Sequence, residues 1–331
     1  MLDERAWQGG WRGSGMTAFD VITIGRVGID IYPLEIGVPL EEVTTFGRFL
    51  GGSPTNVAVA AARLGRSAAV ITRTGDDPFG RFVRSALAEY AVDGRWVASL
   101  PGYQTPVVFC EAIPPERFPL WYYRADHPAD LEIRPDELDL DAIASAGVLW
   151  LSLTGFSQEP SRSAHVAALD ARRGHGITIL DLDYRPALWR SPREATAAAL
   201  SAVPMVTVVV GNTGELTMAT GVSDPDLAAE ALLGAGPELV AVKLGSSGAL
   251  ARSRAETVRV AALPVEIVNG LGCGDGFGGA LCHGLLAGWD LGRIVRFANA
   301  AGAIVATRLA CAPAMPTTAE VEALLAGSGD G

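Results

Sequence analysis

The chain has 331 residues, 49% hydrophobic and 19% charged, a balance that fills a globular core and excludes wholesale disorder. Twenty-six Lys and Arg against 37 Asp and Glu leave a formal net charge of −11, with no basic cluster, which argues against a nucleic-acid partner. No apolar run reaches the roughly 18–20 residues of a membrane helix and no signal-peptide core opens the chain, so the sequence reads as cytoplasmic, without membrane contact.

Residues 1–17 show no periodicity and are expected to form a flexible tail, as are residues 327–331, leaving residues 18–326 as one domain. From Phe19 strand and helix patterns alternate. FDVITIG is a buried-strand run, and IDIYPLEI and TTFGRFL alternate as half-exposed strands do. TNVAVAAARLG carries helical spacing and a C-terminal glycine, AAVITRTG reads as a strand, and DPFGRFVRSALAEYA as a helix with an acidic N-cap. PVVFCEAI and FPLWYYRAD form a second β pair around the turn Pro114-Pro115-Glu116-Arg117. AGVLWLSL, ITILDLD, VTVVVGN and LVAVKLG are four apolar strands separated by helical stretches, which predicts a mostly parallel sheet with helices on both faces. Ligands are then expected at the carboxyl ends of those strands. The two β pairs, about residues 29–50 and 103–124, share no helix and are placed together as a small β lid over the sheet edge.

The four cysteines (Cys110, Cys273, Cys282 and Cys311) lie far apart without a CxxC pair, so neither a disulfide framework nor a zinc site is indicated. Basic side chains are 25 Arg and a single Lys, Lys243. Any chemistry that needs a lysine therefore has one candidate.

The sharpest segment is Asn269-Gly-Leu-Gly-Cys-Gly-Asp-Gly-Phe-Gly-Gly-Ala, after the strand-like VEIV and opening the helical run FGGALCHGLLAG. Its glycines let consecutive amides turn inward as an anion nest at a helix N-terminus. Asp275 stands where that nest meets the helix, either to accept a proton from a hydroxyl attacking phosphorus or as an N-capping aspartate. GxxxxGK[ST] is absent and no GxGxxG follows the first strand, which excludes a Walker A loop and a Rossmann fingerprint. Three further Gly-containing turns, Gly51-Gly-Ser-Pro-Thr-Asn56, Gly211-Asn-Thr-Gly-Glu215 and Lys243-Leu-Gly-Ser-Ser-Gly248, allow a ligand to approach the backbone.

In this order the segments resemble the ribokinase-like sugar kinases of the phosphofructokinase B family, from about Phe19 to Leu325. Gly51, Gly52 and Asn56 are similar to that family's N-terminal signature, and NGLGCGD to its DTxGAGD. The resemblance implies a three-layer α/β/α fold with a mostly parallel sheet and a β lid, and transfer of the γ-phosphoryl group of ATP to a sugar hydroxyl with Mg²⁺, a monovalent cation being a further possibility. It implies Asp275 as general base, the amides of Gly272, Cys273 and Gly274 as anion hole, Asn212 and Glu215 as organisers of metal and phosphates, Lys243, Gly245 and Gly248 as the nucleotide turn, and Asn299 near the adenine. Asp30, with Gly51, Gly52 and Asn56, is implied on the acceptor. The motif departs from the family at Asn269, Gly270 and Cys273, which puts the ion details in question. Arg124 in WYYRADHPADL and Arg185 in DLDYRPALW are similar to positions in relatives that act on acidic, aldonate-type sugars. A guanidinium fork could grip a carboxylate there, or pair with Asp126 or Asp130 and with Asp181 or Asp183. A non-catalytic sensor and a nucleoside kinase on the same fold are the alternatives, and a homodimer through the lid is the expected assembly.

Overall fold

The computed structural model describes residues 19–328; the tail expected over residues 1–17 lies outside them. The strands are β1 (Val21–Ile24), β2 (Gly28–Pro33), β3 (Phe46–Gly51), β4 (Ala68–Gly75), β5 (Val92–Asp93), β6 (Val97–Leu100), β7 (Val107–Cys110), β8 (Leu120–Tyr123), β9 (Val148–Ser152), β10 (Ile177–Asp181), β11 (Val208–Asn212), β12 (Leu239–Lys243), β13 (Ala249–Ser253) and β14 (Thr257–Val260). The α-helices are α1 (Ser53–Arg63), α2 (Pro78–Glu89), α3 (Leu140–Ser145), α4 (Ser161–Ala171), α5 (Pro192–Ala202), α6 (Thr213–Thr220), α7 (Pro225–Gly234), α8 (Cys273–Leu286), α9 (Leu291–Ala306), α10 (Cys311–Ala314) and α11 (Thr318–Gly327). Gly327, expected in the frayed end, is thus the last helical residue.

The main sheet runs β14-β13-β12-β11-β10-β9-β1-β4-β5, with β6 also on β4. Val21 faces Ala68 on one side and Val148 on the other, both in parallel register, and the parallel order continues through β12. Successive residues of these strands point to opposite faces, so a sheet covered on both sides must be apolar at every position. Val21, Trp150 and Ile179 accordingly join the core under α1, α2 and α8–α11, and Ile22, Leu149 and Leu180 that under α3–α7. Each such fully buried aliphatic side chain contributes roughly 1.5–3 kcal/mol. This is the three-layer arrangement that the alternating runs predict.

The lid is a separate four-stranded sheet, β3-β2-β7-β8, built from the two β pairs expected to share no helix. Period-2 alternation sorts its faces. Asp30, Tyr32, Val108 and Tyr122 look inward, while Phe46, Phe109 and Tyr123 form an edge-to-face ladder on the outside with centroids 5.7 and 5.3 Å apart.

One expectation needs correction. VEIV, residues 265–268, is not a strand: it crosses irregularly to α8, with Val268 N and Asn269 N both donating to Ala306 O at 2.8 and 3.1 Å. The sheet instead ends in the antiparallel hairpin β13–β14, whose short arginine-interrupted strands, ALARS and TVRV, give little apolar signal. His165 lies inside α4, fully buried.

Candidate active site

Asp275 is the third residue of α8, not its N-cap; that place is taken by Gly272 in the left-handed conformation, φ +83°. A side chain at Gly272 would also come within 2.8 Å of Cys311 Sγ. The first helical amides, Cys273, Gly274 and Asp275, have no intrahelical acceptor and carry the positive end of the helix dipole; Cys273 and Gly274 of the expected anion hole are among them, and Gly272 precedes the helix.

The Asp275 carboxylate is held at both oxygens. Ser53 Oγ donates to Oδ1 and Asn56 Nδ2 to Oδ2, each at 2.8 Å. Ser53 and Asn56 lie three apart at the start of α1 and so share one helix face. The turn into α1 demands glycine at position 52, where φ is +99° and a Cβ would meet the Arg26 carbonyl at 2.5 Å. Next to it Gly51 leaves room for the Asp30 carboxyl. Small residues bring α1 and α8 together, Gly279 seating directly on Ala60. The GG-x-x-x-N signature is therefore a device for delivering two donors to one carboxylate.

Arg26, Asp30, Tyr122, Arg185, Asp275 and Cys311 line a narrow pocket of about 60 Å³ beneath the lid. Burial pushes Asp275 up, the charge of Asp183 adds to this, and the bonds from Asn56 and Ser53 oppose it. Asp30 is pushed up to about 7, mainly by burial, against the pull of Arg26 and with Asp275 adding. A carboxylate with raised proton affinity is suited to taking a proton from a hydroxyl.

Asp183 bridges two guanidiniums: Arg26 Nη2 at 3.1 Å and Arg185 Nη2 at 2.7 Å. Burial raises it, but Arg185 and then Arg26 outweigh burial and hold it below the ordinary carboxylate range. Arg185 also approaches Glu215 Oε1 at 3.6 Å. Arg124 goes elsewhere: it is buried against Asp130 at 2.8 Å and lines an adjoining cleft of about 860 Å³ with Trp121, His127 and Trp189. Leu120 and Tyr122 border both cavities. The structure thus brings Arg185, but not Arg124, to Asp275.

On the other side of α8 stand the residues expected at the nucleotide. Asn212 and Glu215 form a reciprocal capping box at α6, Glu215 N donating to Asn212 Oδ1 at 2.9 Å and Asn212 N to Glu215 Oε2 at 2.7 Å. Lys243 Nζ pairs with Asp181 Oδ1 at 3.3 Å and lies 3.1 Å from where a Gly274 Cβ would be. Burial pulls the lysine down, but Asp181 and Glu215 outweigh it and hold the ammonium above its ordinary range. Gly245 (φ +60°) and Gly248 (φ +94°) shape the turn after β12, with Gly248 packed on the backbone of residues 260–262. Asn299 Nδ2 donates to Ala261 O in that same strip at 2.9 Å.

The departures at Asn269 and Gly270 have local causes. Asn269, fully buried, donates from Nδ2 to Leu309 O at 2.6 Å and accepts from Leu271 N at Oδ1 at 3.0 Å, a pair of roles that an amide fills and a carboxylate cannot. A Cβ on Gly270 would stand 2.9 Å from the Phe118 ring. The sequence reading missed Arg26 and Ser53. Arg26 follows the first apolar strand, at the carboxyl end where ligands gather, and Ser53 precedes Asn56 by three; both signals were present.

The model of the pfkB family carbohydrate kinases matches residues 18–318. The 5-dehydro-2-deoxygluconokinases of Shouchella clausii and Bacillus subtilis are 34% and 33% identical, each over 93% of this chain and 95% and 96% of their own. Among solved structures, a putative ribokinase II from E. coli superposes with a TM-score of 0.84 at 25% identity, covering 93% of this chain and 99% of its own. The fructokinase of Vibrio cholerae, with fructose, ADP and calcium ion bound, gives 0.80 at 26% identity, covering 92% and 99%. With the doubly held Asp275 at the helix start and the β lid above it, these matches place the chain in the pfkB family of carbohydrate kinases.

Proposed function

We propose that the protein transfers the γ-phosphoryl group of ATP to a hydroxyl of an acidic keto-deoxy sugar, 5-dehydro-2-deoxygluconate. The observation that carries this reading is the pocket of Asp275, a half-buried carboxylate fixed at 2.8 Å on both oxygens and sharing its pocket with two arginines. Asp275 accepts the hydroxyl proton as that oxygen bonds to phosphorus and the bond to the leaving ADP oxygen breaks. The first amides of α8 and Lys243 stabilise charge on the transferring group. Asp30 and Asn56 orient the sugar, and the turn of Gly245 and Gly248, with Asn299, receives the nucleotide. The name shared by the relatives supports the acceptor.

Among the described residues no three His, Cys, Asp or Glu side chains gather to hold a metal unaided. That suits Mg²⁺ arriving on the nucleotide phosphates, which needs one or two protein carboxylates at most, and Glu215 and Asp181 beside Lys243 are those available. When bound, the ion supplies charge neutralisation on the phosphates.

The outer lid face, with Trp121 53% and Tyr123 67% exposed, is read as the seat of a second copy of the chain; the solution mass of a Trp121→Glu, Tyr123→Glu variant tests this, a mass unchanged from wild type counting against it. No helix among the described residues is long and apolar enough to cross a membrane, in keeping with a cytoplasmic site of action.

ADP release from Mg-ATP is the deciding measurement, with 5-dehydro-2-deoxygluconate, 2-dehydro-3-deoxygluconate, fructose, ribose and adenosine as acceptors. Selective turnover of the first supports the proposal. Turnover of 2-dehydro-3-deoxygluconate or a neutral sugar instead reassigns the acceptor, turnover of adenosine alone makes the protein a nucleoside kinase, and ATP binding with no transfer to any acceptor favours a sensor.

A further inference from the structure

Arg26 sits immediately beyond β1, 7% exposed, where the inner face of the lid meets the pocket of Asp275. Its Nε donates to Thr154 Oγ1 at 3.2 Å and its Nη2 to Asp183 Oδ2 at 3.1 Å. Among the described residues its Nη1 makes no hydrogen bond. Asp183 is not its own counter-ion, because the other carboxylate oxygen is taken by Arg185 at 2.7 Å. Arg185 has a second carboxylate, Glu215 Oε1 at 3.6 Å, whereas the ion pair of Arg26 is with the shared Asp183 alone. Asp30, Asp130, Arg124, Arg185 and Tyr122 surround this group at longer range.

Beside it, the Tyr122 hydroxyl borders the same pocket, buried and without a partner. A buried hydroxyl left unpaired is costly unless a ligand completes it. Arg124 differs: its side chain is 8% exposed against an Asp130 that is 1% exposed, and among the described residues that carboxylate has no other ion-pair partner. The carboxylates of Asp275 and Asp30 and the two arginines that share Asp183 all line this pocket. A molecule that carries both a hydroxyl and an anionic group finds a partner for each in that lining.

We propose that Arg26, assisted by the Tyr122 hydroxyl, is the specificity-determining residue that binds the acceptor's carboxylate. This rests on the reading of the acceptor as an acidic sugar and names the group that selects it. An Arg fork binds a carboxylate through two parallel N–H···O bonds, which a lysine cannot reproduce.

The test compares 5-dehydro-2-deoxygluconate with its neutral primary amide as acceptors of the full-length protein, measuring kcat and KM for each and KM for ATP. In wild type the acid is preferred. In Arg26→Gln, kcat/KM for the acid falls about 10- to 100-fold, the worth of a charge-assisted bond, mainly through KM. The amide changes little, so the preference collapses, and KM for ATP stays where it was. An Arg26→Gln protein that loses activity toward both acceptors equally, keeping its preference, overturns the proposal and leaves Arg26 as a support for Asp183. Should Arg26→Gln not fold, Arg26→Lys, which keeps the charge and removes the fork, is judged by the same ratio. A wild type indifferent to acid and amide overturns the acidic-acceptor reading itself, whereas a selective wild type with selective variants overturns only the role of Arg26.

Discussion

Replacing Asp275 by Asn separates the chemistry of this carboxylate from its structural part. Both oxygens accept at 2.8 Å, from Ser53 Oγ and Asn56 Nδ2. In Asp275→Asn the amide oxygen keeps the bond from Asn56, and the new NH₂ donates to Ser53 Oγ, whose hydroxyl rotates to suit. The geometry survives while the capacity to take a proton is gone. A lost general base lowers turnover by about 10²–10⁴, or about 3–5.5 kcal/mol at 1.36 kcal/mol per decade. Stability moves the other way. The folded carboxyl is raised above its unfolded value by burial and by Asp183, so its contribution is complete at low pH and declines as pH rises through the folded value. The amide escapes that decline, and the variant melts at or above wild type at pH 8, with the difference closing in acid. ADP release at saturating ATP, paired with thermal melts at both pH values, reads the two effects together. Turnover within a few-fold of wild type would refute the assignment of the base, and lost activity with a lowered melting temperature would make Asp275 a structural residue.

The other predictions follow from single contacts. Ser53→Ala removes a donor that holds Asp275 down, so the acid limb of kcat/KM moves to higher pH; a limb that stays put contradicts the pairing. Gly270→Thr drives a Cβ to within 2.9 Å of the Phe118 ring and destabilises by about 1–3 kcal/mol in denaturant melts, and Phe118→Ala in the same chain recovers most of it, whereas additive losses would refute the clash. Lys243 is the one lysine, and its ammonium is held protonated by Asp181 and Glu215 against burial. An amine-selective acylating reagent at pH 8 therefore labels it more slowly than an ordinary surface lysine, and Asp181→Asn speeds the labelling; equal rates by mass spectrometry would show that the ion pair does not restrain it.

Most of the scaffold was legible because parallel strands buried on both faces leave uninterrupted apolar runs, as in AAVITRTG, which matches β4 residue for residue. The lid was legible by exclusion, as two β pairs without helices. VEIV misled because four apolar-leaning residues before a glycine turn satisfy a strand template with no neighbouring edge to pair with. The hairpin β13–β14 escaped because β13 is short and broken by Arg252, and β14 reaches burial at no position. Site residues in short motifs could be placed, since Gly52, Gly272 and Gly248 are demanded by positive φ. The arginines could not be sorted. The local pairs Arg185–Asp183 and Arg124–Asp130 were among those the sequence offered, but that Asp183 is shared depends on a contact with Arg26 across 157 positions, and no spacing encodes that.

Two of the three departures ahead of Asp275, at Asn269 and Gly270, show how a signature can drift without moving the base. Asn269 uses both faces of its amide, on Leu309 O and Leu271 N, so the turn into α8 is tied to the segment leading to Cys311, and Cys311 itself packs on Gly272. Gly270 leaves the space that Phe118 fills from the β7–β8 connection of the lid. A threonine in that place would collide with the ring, and an aspartate at 269 would set a carboxylate against a carbonyl oxygen, a repulsion with no donor to relieve it. Gly270 and the phenylalanine therefore fit each other, and with the bonds of Asn269 they fasten the start of α8 to the lid hairpin on one side and to the segment leading into α10 on the other. What the chemistry asks of this turn is that the amides of Cys273 and Gly274 and the Asp275 carboxylate keep their positions. Those positions are set by Gly272 at the N-cap and by the bonds from Ser53 and Asn56.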